Sequence, residues 1–213
     1  KDRCMTIHSG VDLNKNGQSP SFDLKSAYDL SGDIKIIGNT SALADHKDYF
    51  TFIDTAHLLI QKNKNLRFFI LGNGPLETKI RDYVSNKGLS EFVIFTGFVN
   101  NPVDYLKSFD VFLITSKTEG LGTSIIDAFA RNVPVVATCA GGIPELVINE
   151  QTGILCEIKN PKQLAQGVIK LLNDMALKNS LIANASNHLS GFTKEVTAQK
   201  TLEVYRRITN EKF

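Results

Sequence analysis

The sequence predicts an α/β fold with a parallel β-sheet and helices on both of its faces. Short apolar runs typical of strands alternate along the chain with segments of helical periodicity, which indicates βαβ units. The run LRFFIL, from Leu66 to Leu71, is almost wholly apolar, as expected of a strand that is covered on both faces. Because open parallel sheets bind ligands beyond the carboxyl ends of their strands, the loops that follow the strands are the candidate functional segments.

Each element is predicted from its local pattern. β-Branched residues favour a strand from Ile34 to Ile37, and apolar side chains at helical spacing predict a helix from His46 to Gln61. The same patterns predict further strands at Leu66–Leu71, Phe92–Phe95, Val111–Thr115, Val133–Ala137 and Ile154–Glu157. They predict further helices at Leu76–Ser85, through Leu106, from Ser124, and at Ile143–Val147, Pro161–Asn173, Ala176–Leu189 and Thr193–Thr209.

Length and composition argue against several classes of protein. A chain of 213 residues suffices for one large domain and is too short for two α/β domains with separate cores. A net charge of +2 argues against a nucleic-acid binder, and no apolar run approaches the roughly 20 residues that span a bilayer. The first eight residues lack the apolar core of a signal peptide. Cys4, Cys139 and Cys156 are widely spaced, which predicts reduced, mostly buried thiols of a cytosolic protein.

The segment from Thr118 to Ala130 (TEGLGTSIIDAFA) carries the strongest functional signal. A glycine loop that runs into a helix start presents unpaired N–H groups and the positive end of the helix dipole, which together predict an anion site at Gly122 to Ser124. Glu119 and Asp127 flank that site, and ionised carboxylates accept hydrogen bonds from hydroxyl groups. A phosphate site between two such carboxylates predicts a pocket for a nucleotide sugar.

This segment resembles the signature of the group 1 (family four) glycosyltransferases, in which E-G-F-G is followed by an apolar run and E-A. PVVAT from Pro134 and GGIPE from Gly141 resemble its continuation, and IHSGVD from Ile7 resembles the I-P-N-G-V-D that enters the C-terminal domain of these enzymes. The resemblance implies the GT-B architecture, with two Rossmann-like domains facing each other across a cleft. Residues 1–213 would form the single domain that binds the nucleotide sugar, and the N-terminal acceptor domain would be absent from this chain.

The resemblance also assigns roles to residues. Glu119 would hold hydroxyl groups of the transferred sugar, Lys47 would bind the donor phosphates, and both are expected to be catalytic. Ala42 stands where the family has a second cation, an Arg, and Asp127 stands where the family has a Glu that contacts the ribose. The residues expected to contact the donor are Gly120, Leu121, Gly122, Thr123, Ser124, Asp127, Gly72, Asn73, Gly74, Gly97, Phe98 and Val99.

Each of these residues also has an interpretation without a ligand. Glu119 could be a surface residue, and Ser124 with Asp127 could form a variant capping box. Lys47, predicted in the first turn of its helix, would oppose the helix dipole there, so its removal from a purely structural site would be neutral or slightly stabilising. The turn at Gly72 to Pro75 could serve the fold alone.

The predicted function is configuration-retaining transfer of a sugar from a nucleoside diphosphate to an acceptor hydroxyl, with no metal and no cofactor. The isolated chain should be inactive, and its partners would be the nucleotide sugar, the acceptor domain and an unidentified acceptor, with no nucleic acid. The expected location is the cytoplasm, or the inner face of the membrane through the acceptor domain. The alternatives are a non-catalytic nucleotide-binding or interaction module of the same fold, which Ala42 and Asp127 favour, and a nucleotide-sugar epimerase.

Overall fold

Six strands form one sheet at the centre of the fold, and every neighbouring pair is parallel. The computed structural model describes residues 4–12 and 22–209. The strands are β1 (Lys35–Thr40), β2 (Leu66–Leu71), β3 (Val93–Gly97), β4 (Val111–Ile114), β5 (Val135–Thr138) and β6 (Ile154–Cys156). Their order is β3-β2-β1-β4-β5-β6, the order of a doubly wound Rossmann-like sheet. The predicted α/β fold class is therefore confirmed.

Helices connect the parallel strands, whose crossovers are right-handed in nearly all folds of this kind. They are α1 (Leu24–Ala27), α2 (Tyr49–Ile60), α3 (Glu77–Asn86), α4 (Val103–Leu106), α5 (Thr123–Ala130), α6 (Ile143–Leu146), α7 (Pro161–Asn173), α8 (Met175–His188) and α9 (Lys194–Thr209). Two 3-10 turns, Asp45–Lys47 and Leu189–Phe192, precede α2 and α9. The predicted bounds of α7 match, whereas α1 was not predicted. It begins where the Asp23 carboxylate accepts hydrogen bonds from Lys25 N and Ser26 Oγ.

The hydrophobic core has two layers because successive strand residues point to opposite faces of the sheet. Ile37 and Phe68 belong to the layer covered by α2, α3 and α7, whereas their neighbours Ile36 and Phe69 belong to the layer covered by α5 and α8. All four side chains are fully buried. This double coverage explains why LRFFIL is apolar at nearly every position.

The beginning of the described chain lies beside the start of α9. Val11 N donates to Phe192 O and Lys194 N donates to Val11 O, at 3.0 and 3.1 Å. Thr197 Oγ1 also donates to His8 O at 2.8 Å. The segment from Ile7 to Asp12 therefore packs along the start of α9.

The cysteines correct one expectation. Cys156 is buried, and burial raises the pKa of its thiol to about 12. Cys4 and Cys139 are both exposed, so the prediction of mostly buried thiols was wrong. Cys139 follows the carboxyl end of β5, where the chain leaves the sheet for a surface loop.

Candidate functional site

The two residues predicted to be catalytic meet in the structure. Lys47, between β1 and α2, and Glu119, between β4 and α5, form an ion pair in which Lys47 Nζ lies 2.5 Å from Glu119 Oε2. Their side chains are only 15% and 13% exposed. Ser116 Oγ donates to the same carboxylate oxygen at 3.1 Å. The pair lies at the carboxyl ends of β1 and β4, where the strand order reverses and ligands bind in folds of this kind.

The backbone on either side of Lys47 is fixed by the loop after β4. Thr115 Oγ1 lies 3.1 Å from Lys47 O and 3.0 Å from Asp48 O and can donate to either carbonyl. Lys117 N donates to His46 O at 2.7 Å, and Lys117 Nζ pairs with Asp45 at 2.8 Å. Thr115 is buried, so its hydroxyl is held away from water. Sequence reasoning missed Thr115, because it extends an apolar strand and carries no motif.

Lys47 does not lie in the first turn of α2. It ends the 3-10 turn, and Asp48 follows in the left-handed conformation, with φ of 48°, as the N-cap of α2. The Asp48 carboxylate accepts a hydrogen bond from Thr51 Oγ1 at 2.8 Å. The predicted conflict between Lys47 and the helix dipole was therefore wrong, since its ammonium group is directed to Glu119 instead.

The end of β1 is held by a second polar network that sequence reasoning missed. Asn39 Nδ2 donates to Leu113 O at 2.6 Å, and Asn39 Oδ1 accepts from Tyr49 Oη and Ser41 Oγ, both at 2.8 Å. Asn39 and Tyr49 are buried, and burial raises the pKa of the Tyr49 hydroxyl well above its usual value. Tyr49 therefore stays neutral and donates its proton, which joins β1, β4 and the start of α2.

Two glycines allow a third loop to press against Glu119. Gly142 N donates to Glu119 O at 3.1 Å. A Cβ atom on Gly142 would lie 1.9 Å from Gly120 O, and one on Gly141 would lie 2.0 Å from Glu119 O. Both distances are far shorter than any van der Waals contact, so the loops can pack this closely only with glycine at these positions.

The start of α5 is open. Its N-cap is Gly122, in the left-handed conformation, and no side chain caps this end. The capping box suggested for Ser124 and Asp127 is therefore absent from the described structure, and α5 begins at Thr123. The N–H groups of the first turn and the positive end of the α5 dipole face the side of the sheet that carries Glu119.

Asp127 lies half-buried on α5, where burial raises the pKa of its carboxyl group and the nearby charge of Arg131 opposes that rise. Arg131 is itself buried, and its Nε and Nη2 atoms have no hydrogen-bond partner among the described residues. The ribose contact predicted for Asp127 stays a prediction.

A cavity of about 230 Å³ opens beyond the carboxyl ends of β1, β2 and β3. Its lining residues are Thr40, Ser41, Ala42, Leu71, Gly72, Asn73, Phe98, Val99 and Pro102. Ala42 thus shares the cavity with four predicted donor contacts. Gly74, which packs against the Leu43 backbone, and Gly97, whose carbonyl accepts from Gly72 N, are not among the lining residues.

Glu145 contacts two histidines, His8 and His188. The Glu145 carboxylate contacts the ring of His8, while His188 Nε2 lies 2.9 Å from Glu145 O. Within residues 4–12 and 22–209, no group of three or more His, Cys, Asp or Glu side chains could hold a metal ion. None of the helices described is long and apolar enough to cross a membrane.

This sheet order, with an ion pair and an open helix start at the strand reversal, defines a Rossmann-like ligand-binding fold of the kind found in GT-B glycosyltransferases. The model of the family described as glycosyl transferases group 1 matches residues 22–188, and the chain belongs to that family. The resemblance seen in the sequence is thereby confirmed.

Known proteins support the same assignment. The chain is 26% identical over 214 residues to an uncharacterized glycosyltransferase of Methanocaldococcus jannaschii, a match that covers 97% of this chain and 54% of that protein. It is 28% identical over 198 residues to the poly(ribitol-phosphate) alpha-N-acetylglucosaminyltransferase of Staphylococcus aureus, with 86% of this chain and 40% of that protein covered. The Anabaena protein HepE, crystallised with UDP-glucose, superposes with a TM-score of 0.84 at 25% identity, over 94% of this chain and 57% of that one. The chain spans about half the length of the curated relatives it matches.

The glycine packing against Glu119 leads to a stability prediction. Gly142→Ala should lower the free energy of unfolding by about 1–3 kcal/mol, the scale of overpacking in a well-packed region. Gly120→Ala is the matched control, because a Cβ atom there would meet nothing within 4 Å. Urea denaturation of both variants would check this, and equal stability of the two would contradict the described packing.

Proposed function

We propose that this chain binds the nucleoside diphosphate portion of a sugar donor and provides the donor half of a glycosyltransferase. The observation that carries the proposal is the Lys47–Glu119 pair beside the open start of α5, at the strand reversal of the sheet. A cation and unpaired N–H groups suit a diphosphate, whereas the carboxylate suits sugar hydroxyl groups. The ligands of structural neighbours agree, since HepE was crystallised with UDP and with UDP-glucose.

Different residues of the site are proposed to bind different parts of the donor. The diphosphate would lie between Lys47 and the N–H groups at the start of α5, where Gly122, Thr123 and Ser124 meet it. Glu119 would accept hydrogen bonds from the sugar, and Asp127 from the ribose. The cavity lined by Gly72, Asn73, Phe98 and Val99 would take the base side of the nucleotide. Phe98 is 68% exposed, which leaves its ring free to contact a ligand.

Transfer places negative charge on the departing diphosphate, and the proposed site stabilises that charge with groups that are already in place. Lys47 supplies a full positive charge and α5 supplies oriented N–H groups, and such preorganised groups are most effective where water is limited. These groups would replace a divalent metal. Retention of configuration is proposed from the family resemblance.

The acceptor is proposed to bind to another half of the enzyme. The curated relatives are about twice as long as the matched region, so they have room for a second domain of similar size. A group that activates the acceptor hydroxyl would then come from that half or from the leaving phosphate. The isolated chain should bind donor without transferring sugar. We propose the cytoplasm as its location, whether free or at the inner face of the membrane through the acceptor half.

One observation favours a second candidate, a nucleotide-binding module that performs no chemistry. Ala42 is exposed in the cavity at the position where a second phosphate-binding cation is expected. A single cation is enough to bind a phosphate group. It stabilises the departing diphosphate less than two cations would.

Binding of a nucleotide is the first test of the proposed function. The chain should bind one of UDP, GDP and ADP in calorimetric titrations, and the affinity should be the same with magnesium or with EDTA. Absence of binding for all three nucleotides would contradict the donor role. Binding that requires magnesium would contradict the proposed role of Lys47 and α5 in neutralising the phosphates.

Lys47→Ala should weaken binding of the preferred nucleoside diphosphate by about 1.5–3 kcal/mol, the scale of a hydrogen bond to a charged group. It should also lower the free energy of unfolding by about 1–3 kcal/mol, because it leaves the mostly buried Glu119 carboxylate without its cation. Lys117→Ala is the control, since Lys117 pairs with Asp45 on the same two loops and its backbone contact remains. Equal nucleotide affinity in the two variants would rule out a specific phosphate contact by Lys47.

Ala42→Arg should strengthen binding of the same nucleotide, because a guanidinium group in the cavity can pair with phosphate oxygens. A gain of about tenfold corresponds to one charge-assisted hydrogen bond. Ala42→Gln, which fills similar space without charge, is the control. If Ala42→Arg and Ala42→Gln weakened nucleotide binding equally, residue 42 would not face the phosphates.

A further inference from the structure

The cation proposed to bind the diphosphate forms an ion pair within the protein. Lys47 Nζ lies 2.5 Å from Glu119 Oε2, and both side chains are mostly buried. A diphosphate must therefore compete with Glu119 for Lys47. Because the two groups are partly shielded from water, their attraction is stronger than that of an exposed pair.

Glu119 is held in place independently of Lys47. Ser116 Oγ donates to its carboxylate, Gly142 N donates to its carbonyl, and the backbone of Gly141 presses against it. These contacts help to position the carboxylate independently of Lys47. Whatever occupies the site must either offer hydrogen-bond donors to Glu119 or leave that carboxylate next to bound phosphate.

The complete donor and the nucleoside diphosphate product differ in the hydrogen-bond donors that they offer to Glu119. The sugar of the donor presents hydroxyl groups that can donate to Glu119, which compensates the carboxylate when Lys47 turns to the phosphate. The product has lost the sugar and offers Glu119 no such donors.

We infer that the Lys47–Glu119 pair weakens binding of the sugar-free product. After transfer, Glu119 pairs with Lys47 again, and this pairing promotes release of the nucleoside diphosphate. The inference rests on the proposed function and adds to it a role for Glu119 that a simple sugar contact lacks. Loss of the Glu119 charge should strengthen binding of the product, although the same change removes a contact to the donor.

UDP titrations of the chain carrying Glu119→Gln, Lys47→Met and the combination of both would test this inference. Glu119→Gln should bind UDP about 5- to 30-fold more tightly than the parent, the scale of a partly buried charged contact. In a chain that already carries Lys47→Met, Glu119→Gln should change the UDP affinity little, because there is no Lys47 for Glu119 to hold. If the nucleotide panel selects GDP or ADP, that nucleotide replaces UDP. Thermal unfolding monitored by circular dichroism would confirm that each variant is folded.

Asp45→Asn is the matched control, because Asp45 pairs with Lys117 on the same two loops and its loss removes one negative charge without releasing Lys47. It should change UDP affinity by less than about twofold, as expected of an exposed pair. Comparable gains from Asp45→Asn and Glu119→Gln would reduce the result to a general charge effect and overturn the inference.

The remaining outcomes separate the two proposals. Binding by Glu119→Gln that is no tighter than that of the parent overturns the inference and leaves the proposed function standing. A gain that persists in full without Lys47 shows direct repulsion between carboxylate and phosphate, and also overturns it. Failure of the parent chain to bind any nucleoside diphosphate overturns the proposed function and the inference together.

Discussion

The pairing of β1 with β4 is the contact on which the candidate site depends. These strands lie far apart in the sequence but are neighbours in the sheet, with Ile37 opposite Val111 and Gly38 opposite Phe112. A Cβ atom on Gly38 would lie 2.1 Å from the ring of Phe109, so the glycine leaves room for that ring against β1. Since parallel strands end at the same edge of a sheet, this pairing places the loop with Lys47 beside the loop with Glu119.

Hydrogen bonds made by Thr115 and Asn39 help to determine where the charged groups lie. Thr115 holds the carbonyl groups next to Lys47, and Asn39 joins the end of β1 to β4 and to Tyr49. Each neutral hydrogen bond contributes only about 1 kcal/mol to stability. Their larger effect is on position, because buried donors and acceptors that lose their partners are costly to leave unsatisfied. The positions of the charged groups are therefore supported by contacts within the protein.

The fold was predictable because its signals are local. Apolar runs such as LRFFIL mark doubly covered strands, and the helical periodicity of 161–173 gave the bounds of α7. The family resemblance assigned Lys47 and Glu119 to one site, and the rule that such loops share one edge of the sheet agrees with it. The ion pair between them was not predicted.

What could not be predicted depends on tertiary contacts. The 3-10 turn before α2 exists because Lys117 and Thr115 hold its carbonyl groups, and no pattern around His46 signals those partners. Asn39 and Thr115 are ordinary polar residues in sequence, and only the neighbouring strand gives them a role. The open end of α5 excludes the alternative of a capping box formed by Ser124 and Asp127, because Gly122 is the N-cap and no side chain caps the helix.

The unequal exposure of the cysteines makes the protein suited to selective chemical labelling. Thiol reagents require an accessible thiolate, and Cys156 is buried with a strongly raised pKa, so it should remain unmodified. Cys139 is exposed on the loop that continues to Gly141 and Gly142, which pack against Glu119. With Cys4, the other exposed thiol, replaced by serine, a fluorophore on Cys139 would report motion of that loop without any change to the charged residues.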